Sequence, residues 1–116
     1  MKDDCVFCKI IRKEIPSEIV YEMTNVVAFE DKEPSSDTHI LVVPKKHISN
    51  LLDIKKEDNR IIEQMLRLVK RIIEEKKLED KYKVVINGGE YQFVPHLHMH
   101  VLGGEMKKEG DITKLC

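Results

Sequence analysis

Strand-like segments joined mostly by short turns, with one long amphipathic helix among them, predict an α+β fold. The expected architecture is an antiparallel sheet with its helices on one face. The 116 residues match one domain, so a single domain over residues 1–116 is expected.

Val6 to Arg12 reads as a short helix. Ile15-Pro16 ends it, because the residue before proline avoids the helical region. Glu18 to Met23 is strand-like, Asn25 marks a turn, and Val26 to Asp31 is the hairpin partner. Glu33 to Asp37 reads as a loop. Ile40 to Val43 is a continuous apolar strand, ended by Pro44. The long helix is marked by Ile61, Met65, Leu68, Val69 and Ile72 at helical spacing. Ile62, Leu66 and Ile73 widen its apolar face, and Asp58 and Asn59 offer N-cap chemistry. Tyr82 to Ile86 is another strand, followed by Asn87-Gly88-Gly89. Val94 to Leu102 is the last, stopped by Gly103-Gly104. The polar tail Glu105 to Cys116 is expected to be loosely ordered. The long helix has a wider apolar face than one small sheet needs, which favours a homodimer.

Composition excludes several classes. Apolar residues make up 41% and charged residues 35%, the latter above the roughly 25% of soluble domains. Twenty basic and twenty-one acidic residues give a net charge of −1. Nucleic-acid binding would need a basic excess and is not expected. No apolar run reaches about 18 residues, so no membrane span is expected. Met1 to Asp4 leads into Cys5 rather than an apolar signal core, so a cytoplasmic location is expected. Three cysteines make an odd number that argues against a disulfide framework. Cys5-x-x-Cys8 is therefore read first as metal-binding or redox-active.

The run His96-Leu97-His98-Met99-His100 carries the chemistry. Alternate strand residues share a face, so three imidazoles point one way while Leu97, Met99 and Val101 point into a core. His96 and His100 lie about 13 Å apart on a regular strand. Zinc–nitrogen bonds are about 2 Å, so the three rings cannot share one zinc and must divide their duties. That geometry disfavours a zinc hydrolase with the triad as its ligand set. Cys5 and Cys8 form half of a tetrahedral zinc site. The other ligands come from among His39, His47 and one triad histidine. His47 follows the basic loop Pro44-Lys45-Lys46. Asn87-Gly88-Gly89 exposes backbone amides that can approach an anion. Asp31, at a strand end, can accept hydrogen bonds from ribose hydroxyls, with Lys32 beside it.

Taken together, these segments resemble the histidine triad nucleotide-binding family in its zinc-containing branch. His96 to Gly104 resembles the His-x-His-x-His signature. Cys5 to Ile11 with Glu14-Ile15-Pro16 resembles the family's N-terminal segment. Ala28 to Asp31 resembles its ribose-binding hairpin, and Thr38 to Ser49 its central strand and loop. The resemblance implies a five-stranded antiparallel sheet with two helices, paired side by side in a homodimer. It implies cleavage at the α-phosphate of purine nucleotide conjugates such as adenosine phosphoramidates. His98 would be the nucleophile, forming a nucleotidyl-histidine, and His100 would assist proton transfer. Asp31 would hold the ribose, and Asn87 and Gln92 would lie on the phosphate side. Phe7, Ile10, Ile15, Phe29 and Leu41 would wall the base pocket. A structural zinc would be held by Cys5, Cys8, His47 and His96. The same signature also fits a nucleotide-binding regulatory module with little turnover. Glu90 to Pro95 departs from the family pattern by being shorter, with Phe93 where a serine hydroxyl commonly contacts phosphate.

Overall fold

The computed structural model describes residues 4–107. Its elements are α1 (Val6–Ile11), β1 (Ile19–Glu22), β2 (Val26–Glu30), β3 (Ser36–Pro44), α2 (Asn59–Glu75), β4 (Tyr82–Val85) and β5 (Met99–Met106). Short 3₁₀ turns lie at Leu51–Asp53, Lys56–Asp58 and Gly89–Tyr91. The five strands form one sheet in the order β1-β2-β3-β5-β4, with every neighbouring pair antiparallel. No described helix is long and apolar enough to cross a membrane.

The side-chain period of two divides the central strands between two cores. Val26, Ala28, Ile40, Val42 and Val101 face α2, where Met65, Leu68, Val69 and Ile72 cover them. Val27, Phe29, Leu41 and Val43 face the other way, against Phe7, Cys8 and Ile10 of α1. The helices therefore lie on opposite faces, not on one as expected. The continuous apolar run Ile40 to Val43 is the physical reason: both sides of β3 are buried.

Three boundaries also differ from expectation. β3 starts at Ser36, inside the expected loop, because Ser36 is buried and its hydroxyl donates to the Thr38 carbonyl at 2.5 Å. β5 starts only at Met99. Pro95 offers no amide to a ladder, and the His96 amide turns back to the Val94 carbonyl at 2.8 Å. β5 also runs on through Gly103 and Gly104 to Met106. A Cβ at Gly103 would meet the Leu78 side chain at 2.5 Å, so this glycine admits the exit of α2 rather than ending a strand. Gly104, at φ +77°, turns the backbone so that the Glu105 amide donates to Asp37 at 2.9 Å. The rest of the expected loose tail, residues 108–116 with Cys116, lies outside the described residues.

Asp58 precedes α2 but does not cap it. Its buried carboxylate instead accepts from the Lys55 amide at 3.0 Å and from Lys46 at 2.6 Å, closing the 3₁₀ turn that seats the helix. The Lys46 ammonium, with the Lys55 amide, holds this carboxyl below the usual aspartate range. A lowered folded-state pKa gives stability that is present near neutrality and fades as pH falls through the folded value. Asp58→Asn is expected to lower the melting temperature at pH 7. The gap from the parent should narrow in melts run below the ordinary aspartate value of about 3.9.

Candidate functional site

His96 and His98 lie in an irregular approach to β5, yet the alternation of side chains survives. The Leu97 amide donates to the Ile48 carbonyl at 2.7 Å, which pins the approach to the chain leaving β3. Leu97, Met99 and Val101 enter the core under α2. Phe7 of α1 lies edge-on to the rings of His96 and His98, at centroid distances of 5.9 and 5.0 Å.

Cys5, Cys8, His47 and His96 bring four ligand atoms within 4.8 Å of one another. His96 Nδ1 lies 3.4 Å from Cys5 Sγ and 3.6 Å from Cys8 Sγ, and His47 Nδ1 lies 3.3 Å from Cys8 Sγ. Tetrahedral zinc bonds of about 2.3 Å to sulfur and 2.0–2.1 Å to nitrogen would separate such atoms by about 3.6 Å, so the donor set fits. The protonation also fits. His96 Nε2–H donates to the Pro44 carbonyl at 2.8 Å, which leaves Nδ1 bare toward the sulfurs. Burial, opposed by the Pro44 hydrogen bond, lowers the His96 pKa to about 4, so the ring is neutral. This is a candidate metal centre. His39, one of the candidate ligands by sequence, is not part of it.

His98 and His100 stand apart from that cluster, with their ring centroids 4.9 Å from each other. His98 Nδ1–H donates to the His96 carbonyl at 2.7 Å, which puts its lone pair on Nε2. His100 is oriented through His39. The Ser35 amide donates to His39 Nδ1 at 3.0 Å, so the neutral His39 carries its proton on Nε2. That Nε2–H donates to His100 Nδ1 at 2.9 Å, which places the His100 proton on Nε2. Burial lowers the His39 pKa, against the pull of Asp31 and with a smaller push from His98. Asp31 Oδ2 lies 3.4 Å from His39 Nε2, and Asp31 Oδ1 accepts from the Glu33 amide at 2.9 Å. The role of His39 beside His100 was not legible in the sequence. Only its place two residues from Leu41, which the register sets opposite His100, could have pointed to it.

A largely apolar cavity of about 160 Å³ opens beside this group, lined in part by Phe7, Ile10, Phe29, Leu41, Asp31 and Lys32. Val6, Ser17 and Val94 also line it, without any sequence signal. Ile15 does not line it and packs at the edge of the α1 core. Asn87 is partly buried beyond β4 and lines none of the described cavities. Gln92 Nε2 donates to the Ser49 and Val94 carbonyls at 2.7 and 3.0 Å, so its amide clips two loops together.

These hydrogen bonds fix tautomers that can be measured. Nitrogen-detected NMR at neutral pH is expected to show His98 protonated on Nδ1 and His96 on Nε2. The reverse assignment for either ring would contradict this geometry.

Comparison with known proteins places these features in a family. A family model described as scavenger mRNA decapping enzyme C-term binding matches residues 4–115. An uncharacterised HIT-like protein of Synechococcus elongatus is 45% identical over 106 residues, covering 90% of this chain and 93% of its own. The purine nucleoside phosphoramidase of Escherichia coli K12 is 39% identical over 107 residues, covering 90% of each. The structure of a histidine triad protein from Clostridium difficile superposes with a TM-score of 0.86 at 39% identity, covering 96% of this chain and 99% of that one. With its His-x-His-x-His segment set between a Cys/His cluster and an apolar cavity, the chain belongs to the histidine triad (HIT) family.

Proposed function

We propose that this protein is a purine nucleoside phosphoramidase-type hydrolase, cleaving nucleotide conjugates at the α-phosphate through a nucleotidyl-His98 intermediate. The observation that carries the proposal is the His98 tautomer. With Nδ1–H held by the His96 carbonyl, the lone pair lies on Nε2, the nitrogen that attacks phosphorus in this reading. The similarity to the E. coli phosphoramidase supports a phosphoramidate substrate.

In the first step the His98 Nε2–phosphorus bond forms and the phosphorus–nitrogen bond to the leaving amine breaks. The amine takes a proton from solvent as it leaves, and His100 Nε2–H hydrogen-bonds the leaving nitrogen. In the second step water attacks phosphorus and gives its proton to solvent, the bond to His98 breaks, and His100 Nε2–H hydrogen-bonds the phosphate. The products are an amine and a nucleoside monophosphate. His39 keeps the His100 proton on Nε2, the nitrogen that serves both steps. The base occupies the cavity walled by Phe7, Ile10, Phe29 and Leu41. Asp31 takes the ribose hydroxyls, Lys32 sits at the rim, and Asn87 belongs on the phosphate side. Gln92 is assigned to holding the loop, since its amide nitrogen already has two carbonyl partners.

Cys5, Cys8, His47 and His96 would hold zinc as two thiolates and two neutral imidazoles. Such a closed four-ligand site braces structure, and the bond changes above use only His98 and His100. Homodimerisation is part of the proposal. β4 lies at the sheet edge and exposes Tyr82 and Val84, with Ile86 exposed just beyond it. Leu66 of α2 is exposed as well. Pairing β4 with a second copy would cover an open edge.

His98→Asn is expected to abolish turnover of an adenosine phosphoramidate while AMP binding by calorimetry stays within a fewfold of the parent. Turnover that survives the change rules out the covalent route. Purified chain is expected to carry about one zinc equivalent, retained in His98→Asn and lost in Cys8→Ser. Cys8→Ser should also melt at a lower temperature. Metal analysis of fresh protein without zinc would count against the assignment.

A further inference from the structure

Two of the contacts that hold the His98 ring lead to the metal cluster. One is the His96 carbonyl, which accepts from His98 Nδ1 at 2.7 Å. Residue 96 is itself fixed by its ring, between the Cys5 and Cys8 sulfurs on one nitrogen and the Pro44 carbonyl on the other. Another is Phe7, which lies between the two cysteines in sequence. Its ring meets His98 edge-on, at 5.0 Å and 86°. The same ring touches Phe29 at 5.4 Å and walls the apolar cavity.

α1, which carries Phe7, has six residues, far fewer than a helix needs to persist alone. Its place depends on the apolar face beneath it and on the side chains of Cys5 and Cys8. The core under α2 contains none of the four cluster residues. The sheet can therefore outlast the seating of α1.

We propose that the cluster is a positional control on the nucleophile, with Phe7 as the positioning residue that transmits it. This rests on the assignments of the metal site and of His98 given above. With the cluster tied together, residue 96 and α1 hold the His98 ring in register with the cavity. With the cluster loosened, α1 shifts on the sheet, and the carbonyl and the ring edge both move away from His98. Loss of metal then uncouples the chemistry before it unfolds the sheet. That differs from a metal acting only on stability.

The test compares the full chain loaded with zinc, the same chain after chelation, and zinc-loaded Phe7→Leu. Ile72→Val, on the opposite core face, serves as a control that costs stability alone. Each form is followed by far-UV circular dichroism, zinc content, the His98 ring resonances in NMR, and single-turnover adenylylation by adenosine 5′-phosphoramidate. Chelation is expected to preserve the sheet spectrum, shift and broaden the His98 resonances, and slow adenylylation about tenfold or more, as small misplacements of reacting groups do. Phe7→Leu should keep its zinc, move the same resonances and slow the same step. Ile72→Val should melt earlier with His98 resonances and adenylylation rate unchanged.

Unchanged His98 resonances after chelation and in Phe7→Leu would overturn the proposal. If the chelated chain unfolds, zinc-loaded Phe7→Leu decides alone: unmoved resonances and an unchanged rate overturn it. A parent chain that forms no adduct, but whose His98 resonances respond to zinc and to Phe7→Leu, would refute the nucleophile assignment and uphold the coupling.

Discussion

The site depends on the antiparallel register of β3 against β5. Ile40 lies opposite Val101 and Leu41 opposite His100. That register sends Ile40, Val42 and Val101 under α2, while His39 and His100 meet on the other face. A slip of one residue would exchange the faces, burying the histidines under α2 and presenting valine to the cavity. Both faces of β3 are packed with apolar side chains, so such a slip is costly and the histidine arrangement is correspondingly rigid.

Given that face, backbone groups decide what each imidazole can do. The Pro44 carbonyl claims one nitrogen of His96 and leaves the other for the sulfurs of Cys5 and Cys8. The His96 carbonyl claims Nδ1 of His98. The Ser35 amide sets His39, and His39 in turn sets His100. Each of these partners lies on backbone that is itself held: Pro44 ends a paired strand, and the approach containing His96 is tied to Ile48. Four chemically equivalent side chains thereby acquire different hydrogen-bond roles. The irregular stretch before Met99 belongs to the same logic, since Pro95 frees His96 from the ladder and lets its ring reach the cysteines.

Much of this was legible in the sequence. The heptad-like spacing of Met65, Leu68, Val69 and Ile72 located α2. The alternation from Leu97 to Val101 assigned the faces of the histidine segment, even where the strand is not regular. The distance limit between His96 and His100 showed that the two rings could not share one metal ion. Other features were not legible because they arise from contacts distant in sequence. The continuous run Ile40 to Val43 marked a strand, but the burial of its second face under α1 is a tertiary fact. Gly103 looked like a strand stop, and its actual role is to admit Leu78. His39 was a candidate zinc ligand by sequence, and the sheet register sets it beside His100 instead. Ile15 and Gln92 carry plausible side chains for a binding site, yet the first packs outside the cavity wall and the second is used on two loop carbonyls.

The central claim is that Nε2 of His98 becomes bonded to phosphorus. Rapid quench of the full chain with adenosine 5′-phosphoramidate, followed by peptide mass mapping under conditions that preserve phosphohistidine-type bonds, tests it most directly. The account predicts an adenylyl adduct on the peptide containing His98, with fragmentation assigning it to that residue. Turnover without any adduct, or an adduct localised to His96 or His100, would contradict it.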